Sequence, residues 1–126
     1  MVFWDNIIIS YVGLFLYALA GIIAIVNRLR LGRQGSGSLL IEDEHQLVET
    51  GFYRYIRHPL YSSALLGLLG FGLVFRSIIM TTFVLVVYFL VFKHRLDYEE
   101  RILEEEFGEK YIEYKTRTKR LIPFIY

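Results

Sequence analysis

An uncharged stretch from Ile7 to Val26 and two later apolar runs, Leu60 to Phe75 and Ser77 to Phe92, limit what this chain can fold into. The first is long enough to cross a hydrocarbon core of ~30 Å as a helix. Ala18-Leu19-Ala20 has the form of a leader-cleavage site, but no basic segment precedes it and the apolar run continues beyond it, which points to a retained anchor. The second and third runs each fall slightly short of the ~17–25 residues of a usual span, so their helices must start in the interface or the bilayer must thin. Arg76 separates them. One bent helix would overshoot the bilayer, so two antiparallel helices turning at Arg76 are expected. With 126 residues, 55% of them hydrophobic and 17% aromatic, the chain is one domain, 1–126, richer in large apolar residues than soluble domains are. The predicted architecture is an all-α integral membrane fold. It has three transmembrane helices (about 5–27, 58–75 and 77–93) and a C-terminal amphipathic helix (about 94–117) on the cytosolic surface.

The net charge of +1 names no partner, but the placement of charge orients the chain. Arg28, Arg30, Arg33, Arg54 and Arg57 lie between the first and second spans, and Lys93, Arg95 and all later basic residues follow the third. Only Arg76 falls at the other end. The positive-inside rule therefore puts the N-terminus outside and both polar segments in the cytosol, where they can form one site. The absence of cysteine excludes disulfides, thiolate metal sites and cysteine nucleophiles. The loop from Asn27 to Pro59 is polar, with short apolar patches at Leu39–Ile41 and Gln46–Val48 that suit brief strands. Pro59 suits the first turn of the second span.

Residues 51–61, G-F-Y-R-Y-I-R-H-P-L-Y, place a cation, an imidazole and several tyrosines at the mouth of that span. Arg57 with His58, Tyr53, Tyr55 and Tyr61 can bind a carboxylate or phosphate, Arg57 through its planar fork. The competing account is an aromatic and basic belt anchoring the spans, which suffices for Arg54 and Tyr55. In the C-terminal segment, helical spacing gathers Leu96, Glu100, Leu103 and Phe107 on one face and Arg101, Glu105 and Glu109 on the other, with a break expected at Gly108. A carboxylate on an apolar stripe is costly to bury unless paired, so Glu100 calls for a partner such as Arg57 or a ligand. Glu99 better fits an interfacial carboxylate that reaches water, and Glu104–Glu106 a solvated run. The three histidines match no metal-ligand spacing, so no metal is assigned, and His45 and His94 are surface residues. Ser63, Gly67, Gly70 and Gly72 suit close helix packing and leave room for a homo-oligomer. A nucleic-acid site here would be pressed against lipid headgroups and is set aside.

The segment L-V-E-T-G-F-Y-R-Y-I-R-H-P-L-Y, residues 47–61, resembles the signature of the isoprenylcysteine carboxyl methyltransferase family, which belongs with the membrane phospholipid methyltransferases. The tail is similar to that family's C-terminal motif: E-E at 99 and 100, L-E-E-E-F-G-E-K-Y at 103–111, Tyr114, and R-L-I-P at 120–123. The match is strongest over 39–123. It implies methyl transfer from S-adenosylmethionine to an amphiphilic, lipid-like or prenylated acceptor. The family's cofactor-holding positions carry over to Tyr53, Arg57, His58, Pro59, Tyr61, Glu99 and Glu100. Ser63 stands where members often have glycine, and eukaryotic members carry further N-terminal spans.

Under this resemblance a carboxylate acceptor comes first, because attack on a sulfonium neutralises both charges and needs no general base. Alignment alone can supply ~7–11 kcal/mol in well-oriented systems. An amine acceptor, as in a phospholipid N-methyltransferase, would need a proton acceptor, for which His58 and Glu100 are the catalytic candidates. Arg57 would hold the cofactor's carboxylate and Glu100 its ammonium or ribose hydroxyls. A membrane reductase, in which sterol reductases share a similar arginine-histidine-proline turn, is more remote. A non-catalytic membrane scaffold of the same fold is the alternative from another class.

Overall fold

A computed structural model describes residues 5–31, 51–122 and 125–126. The expected strands at 39–41 and 46–48 and His45 lie outside the described residues. Among the described residues four α-helices occur in the order α1 (Ile7–Leu31), α2 (Pro59–Val74), α3 (Ile78–Phe107) and α4 (Glu109–Arg117), with a 3-10 turn at Gly51–Arg54 before α2.

Helix α1 starts where the Asn6 side-chain oxygen accepts a hydrogen bond from the Ile8 N–H (2.9 Å), and it ends among Arg28 and Arg30. Helix α2 begins at Pro59, whose fixed φ and missing N–H suit a first helical turn. It stops before Arg76, which turns the chain with a φ of 54°. Ser77 then caps α3, its Oγ accepting from the Met80 N–H at 3.2 Å. The hairpin expected at Arg76 is therefore present. Gly108, at φ 57°, ends α3, as its left-handed conformation favours glycine.

One correction concerns length. The segment expected as a separate helix from about 94 continues the third apolar helix without interruption, giving one 30-residue α3. Nothing between Ile78 and Phe107 breaks a helix: there is no Gly or Pro, and Lys93, Arg95, Glu99 and Glu100 are good helix formers. At 1.5 Å per residue α3 runs about 45 Å, so its charged half projects well past an apolar layer of ~30 Å. Among the described residues two helices, α1 and α3, are long and apolar enough to cross a membrane, while α2, at 16 residues, is a shorter apolar helix.

The outer surfaces of these helices are apolar. Phe15 is 66% and Leu90 69% exposed, and Tyr11, Ile22, Ile25, Phe83 and Val91 are similarly open, a surface that suits lipid rather than water. Inside, α1 and α2 approach so closely that a Cβ added at Gly70 would lie 2.6 Å from the Gly13 carbonyl oxygen, and one at Gly13 2.6 Å from that of Gly70. Such small-residue crossings let helix backbones pack where lipid offers no hydrophobic drive. Gly70→Ala is therefore expected to lower stability by about 1–3 kcal/mol through overpacking. Gly21→Ala, whose Cβ would meet nothing within 4 Å, should leave it unchanged. Thermal unfolding of the two variants in detergent checks the contrast.

Candidate active site

The polar end of the molecule is assembled by the chain's return. Residues 55–58 run parallel to 118–120: the Arg57 N–H donates to the Lys119 carbonyl (2.7 Å), the His58 N–H to that of Arg120 (3.1 Å), and the Lys119 N–H to that of Tyr55 (2.9 Å). This strap holds the arginine-histidine-proline turn over the charged half of α3. The Ser62 hydroxyl extends it by donating to the Leu121 carbonyl at 2.6 Å.

Glu100 is the hub. Its Oε1 accepts from Arg57 Nε at 2.8 Å and lies 3.1 Å from His58 Nε2; its Oε2 accepts from Arg120 Nη2 at 2.6 Å. Arg57 also donates through Nη1 to the carbonyls of Thr118 (2.8 Å) and Lys115 (3.3 Å), which ties α4 to the turn. Arg120 Nη2 reaches Asp97 at 2.8 Å as well. Burial by itself would push the Glu100 carboxyl up, but hydrogen bonds from His58, Arg120 and Arg57 prevail and hold it well below the usual carboxylate range. Burial would likewise lower the Arg120 guanidinium, and Glu100 beside it raises it instead.

Glu99, one residue earlier, faces α2. Its Oε1 accepts from the Tyr61 hydroxyl at 2.9 Å and from Arg95 Nε at 3.1 Å, and its Oε2 lies 4.0 Å from His58 Nδ1. The imidazole of His58, fully buried, thus stands between two adjacent carboxylates. Glu99 is buried and does not reach water as expected, because Tyr61 on α2 covers it. Glu104 also departs from a purely solvated role, since it takes an ion pair from Lys115 (2.5 Å).

Of the residues singled out from sequence, Arg57, His58, Tyr61, Glu99 and Glu100 come together in one connected network. Pro59 opens α2 beside them. Tyr53 stands in the adjoining cluster with Leu103, Tyr111 and Tyr114, where the Tyr114 hydroxyl donates to its carbonyl (2.5 Å). Burial raises the Tyr53 hydroxyl pKa, with the Asn27 hydrogen bond opposing. Tyr55 and His94 are exposed, and Arg54 lies over the Tyr55 ring, as an anchoring belt would have them. Sequence reasoning missed two members. Asn27 is fully buried at the end of α1, its amide 3.4 Å from the Tyr53 hydroxyl, and its signal was a lone amide at the close of an apolar run. Arg120 carried a signal only as part of the R-L-I-P motif.

Three buried polar atoms have no hydrogen-bond partner among the described residues: Asn27 Oδ1, His58 Nδ1 and the Tyr111 hydroxyl. Leaving such groups unpaired is costly, so they are the atoms a polar ligand would satisfy. At the start of α2 lies a cavity of about 580 Å³ with an almost wholly apolar lining. Ile23 of α1, Ile56, Pro59 and Leu66 of α2, Phe89 of α3 and Leu121 of the strap contribute to its wall. Pro59 follows His58 directly and lines this cavity, so the polar cluster and the apolar space share a border.

A small membrane-type helical fold with a buried Arg-His-Glu cluster bordering an apolar cavity defines a class, and comparison with known proteins gives the family. The chain belongs to the phospholipid methyltransferase family, whose model matches residues 8–110. It is 33% identical over 119 residues to a probable protein-S-isoprenylcysteine O-methyltransferase of Oryza sativa subsp. indica, covering 93% of this chain and 62% of that protein. It is also 33% identical over 120 residues to the cobalt-zinc-cadmium resistance protein CzcN of Cupriavidus metallidurans, covering 95% of this chain and 53% of that one. Among solved structures, the eukaryotic intramembrane Ras methyltransferase, isoprenylcysteine carboxyl methyltransferase, superposes with a TM-score of 0.83 at 26% identity. The match covers 94% of this chain and 43% of that one. This chain thus spans about three fifths of the plant relative's length.

Proposed function

We propose that this protein is an S-adenosylmethionine-dependent methyltransferase of the membrane, transferring a methyl group to the carboxylate of a prenylated cysteine or a similar amphiphile. The observation that carries the reading is the shared border between the charged network around Glu100 and the apolar cavity. A ligand spanning that border has a polar end and a long apolar tail. The names of the plant relative and of the solved structure point to the same acceptor.

The unpaired buried atoms suit the cofactor. A zwitterionic nucleoside offers ammonium, carboxylate, hydroxyl and base groups to Asn27 Oδ1, His58 Nδ1 and the Tyr111 hydroxyl. Tyr53, Arg57, His58, Pro59, Tyr61, Glu99 and Glu100 would form its cradle, with Arg57 toward its carboxylate. Because protein donors already hold both oxygens of Glu100, we assign this side chain mainly to fixing Arg57 and His58 in place. When bound, the cofactor supplies an electrophilic methyl on a sulfonium. The residues here orient the partners and exclude water. An ionised carboxylate acceptor leaves no proton for them to remove.

The membrane arrangement proposed is three spans, with α2 crossing where the bilayer thins or the flanking turns enter the interface. The N-terminus is outside and the site cytosolic. The clustering of Arg28, Arg30, Arg54, Arg57, Lys93 and Arg95 at one end, against Arg76 at the other, supports this orientation.

The test is transfer from radiolabelled S-adenosylmethionine by the whole chain in lipid nanodiscs. Base-labile label in S-farnesylcysteine and none in phosphatidylethanolamine is the expected result. Base-stable label in the amine lipid would move the assignment to an N-methyltransferase. Tight cofactor binding with no transfer to either would leave a scaffold.

A further inference from the structure

We propose that Arg120 is a positioning residue that couples the cofactor cluster to the acceptor cavity, so that filling one tightens the other. This rests on the functional reading above and goes beyond it by assigning the link between the two half-sites to one side chain. Arg120 is anchored twice. Its Nη2 joins Glu100 Oε2 (2.6 Å) and Asp97 (2.8 Å) on α3, and its carbonyl accepts the His58 N–H (3.1 Å) at the turn. The chain then continues directly into Leu121 and Ile122, which form part of the cavity wall. Leu121 is itself fixed, buried against Tyr61, Tyr88 and Leu96, with its carbonyl held by Ser62. Any shift of Glu100 on binding a charged ligand therefore moves Arg120 and, through one peptide unit, the wall that an apolar chain would touch.

Other routes between the two half-sites are weaker. Pro59 borders both but is set by the helix start and carries no polar side chain. Lys115 approaches Glu100 only to 3.9 Å and is committed to Glu104. Arg120 bonds the hub by its side chain and the turn by its backbone while preceding a wall residue; His58 also bonds the hub and precedes a wall residue, but that residue is Pro59, which the helix start fixes.

The experiment is a binding cycle on the whole chain in nanodiscs, using S-adenosylhomocysteine and a fluorescent farnesylcysteine probe. In the unmodified protein, saturating S-adenosylhomocysteine is expected to tighten the probe at least fivefold, and by reciprocity the probe tightens the nucleoside equally. In Arg120→Met that factor is expected to fall below twofold, whereas Arg120→Lys, which keeps the charge and the fold, retains at least half of it. A purely structural role would weaken both ligands and leave the factor intact. An unchanged factor in Arg120→Met, or no coupling in the unmodified protein, overturns the proposal. The cycle needs no turnover. Absence of methyl transfer in the unmodified chain would defeat the functional reading, while the binding factors would still decide the coupling.

Discussion

Glu100→Gln is expected to unfold or severely destabilise this protein, at a cost of about 3–5 kcal/mol, and to abolish the proposed methyl transfer. Removing one partner of a buried ion pair leaves the other charge uncompensated, and that penalty exceeds what the intact pair contributes. Here the loss falls on several groups at once. Arg57, only 11% exposed in its side chain, and Arg120, 16%, both turn toward this carboxylate, and His58 is fully buried. An amide in place of the carboxylate has one oxygen for donors on both sides and directs an N–H at one of them. Thermal unfolding in detergent reads the cost.

The same group gives a pH signature. The folded-state pKa of Glu100 lies below its ordinary value of 4.5, so the unfolded chain takes up the proton first. Stability from this carboxylate is complete above about pH 4.5 and is lost as the pH falls below it. The unfolding temperature of the native chain should decline on that acid side, and the Glu100→Gln variant should lack this component of the decline. Glu99→Gln should be milder, about 1–2 kcal/mol, because Arg95 is 59% exposed and can turn to water.

The contrast between these glutamates marks how far the sequence could be read. The face that carries Glu100 was legible from spacing alone, because Leu96 and Leu103 repeat at helical intervals around it, and both are buried. The cost of burying a lone carboxylate called for a partner, Arg57 or a ligand, and the fold supplies Arg57. Glu99 lies a third of a turn away, on no apolar stripe, and its burial depends on Tyr61 arriving from another helix. Intrahelical periodicity cannot register such cover. The length of α3 is hidden in the sequence for a related reason. A change from apolar to charged residues at Lys93 looks like a boundary, yet it marks where the environment changes while the helix continues.

Long-range pairing was the least visible. Residues 118–120 carry no alternating pattern that would announce a strand, and their parallel course beside 55–58 rests on three backbone hydrogen bonds and on Arg57 reaching Thr118. Arg120 therefore could not be assigned to Glu100, twenty residues earlier on a different element. The Gly13–Gly70 crossing was half visible. Gly70 stood out in a run of small residues, while Gly13 is one of two glycines in an apolar helix, and only the fold supplies its partner.

Leu66→Trp should separate the two halves of the site, raising the acceptor KM at least tenfold while leaving S-adenosylhomocysteine affinity within a factor of three. Along α2, Pro59, Ser62, Leu66 and Leu69 recur at three- and four-residue intervals and present one row to the cavity, with Leu66 near its middle. A tryptophan there takes up space that an apolar chain would fill, without touching the Glu100 network at the other border. Burying one CH₂ contributes ~0.8 kcal/mol, so excluding a single five-carbon isoprene unit forfeits about 4 kcal/mol, approaching a thousandfold in affinity. The substitution should therefore also invert chain-length preference, with a geranyl acceptor overtaking a farnesyl one. Leu66→Ala should shift preference the other way, toward longer chains, at some cost in stability. Competition between geranyl- and farnesylcysteine, read as the ratio of kcat/KM in each variant, makes the comparison. Equal ratios in all three proteins would mean that the acceptor chain lies elsewhere, on the lipid-facing surface of α1 or α3, and that this cavity serves the fold alone.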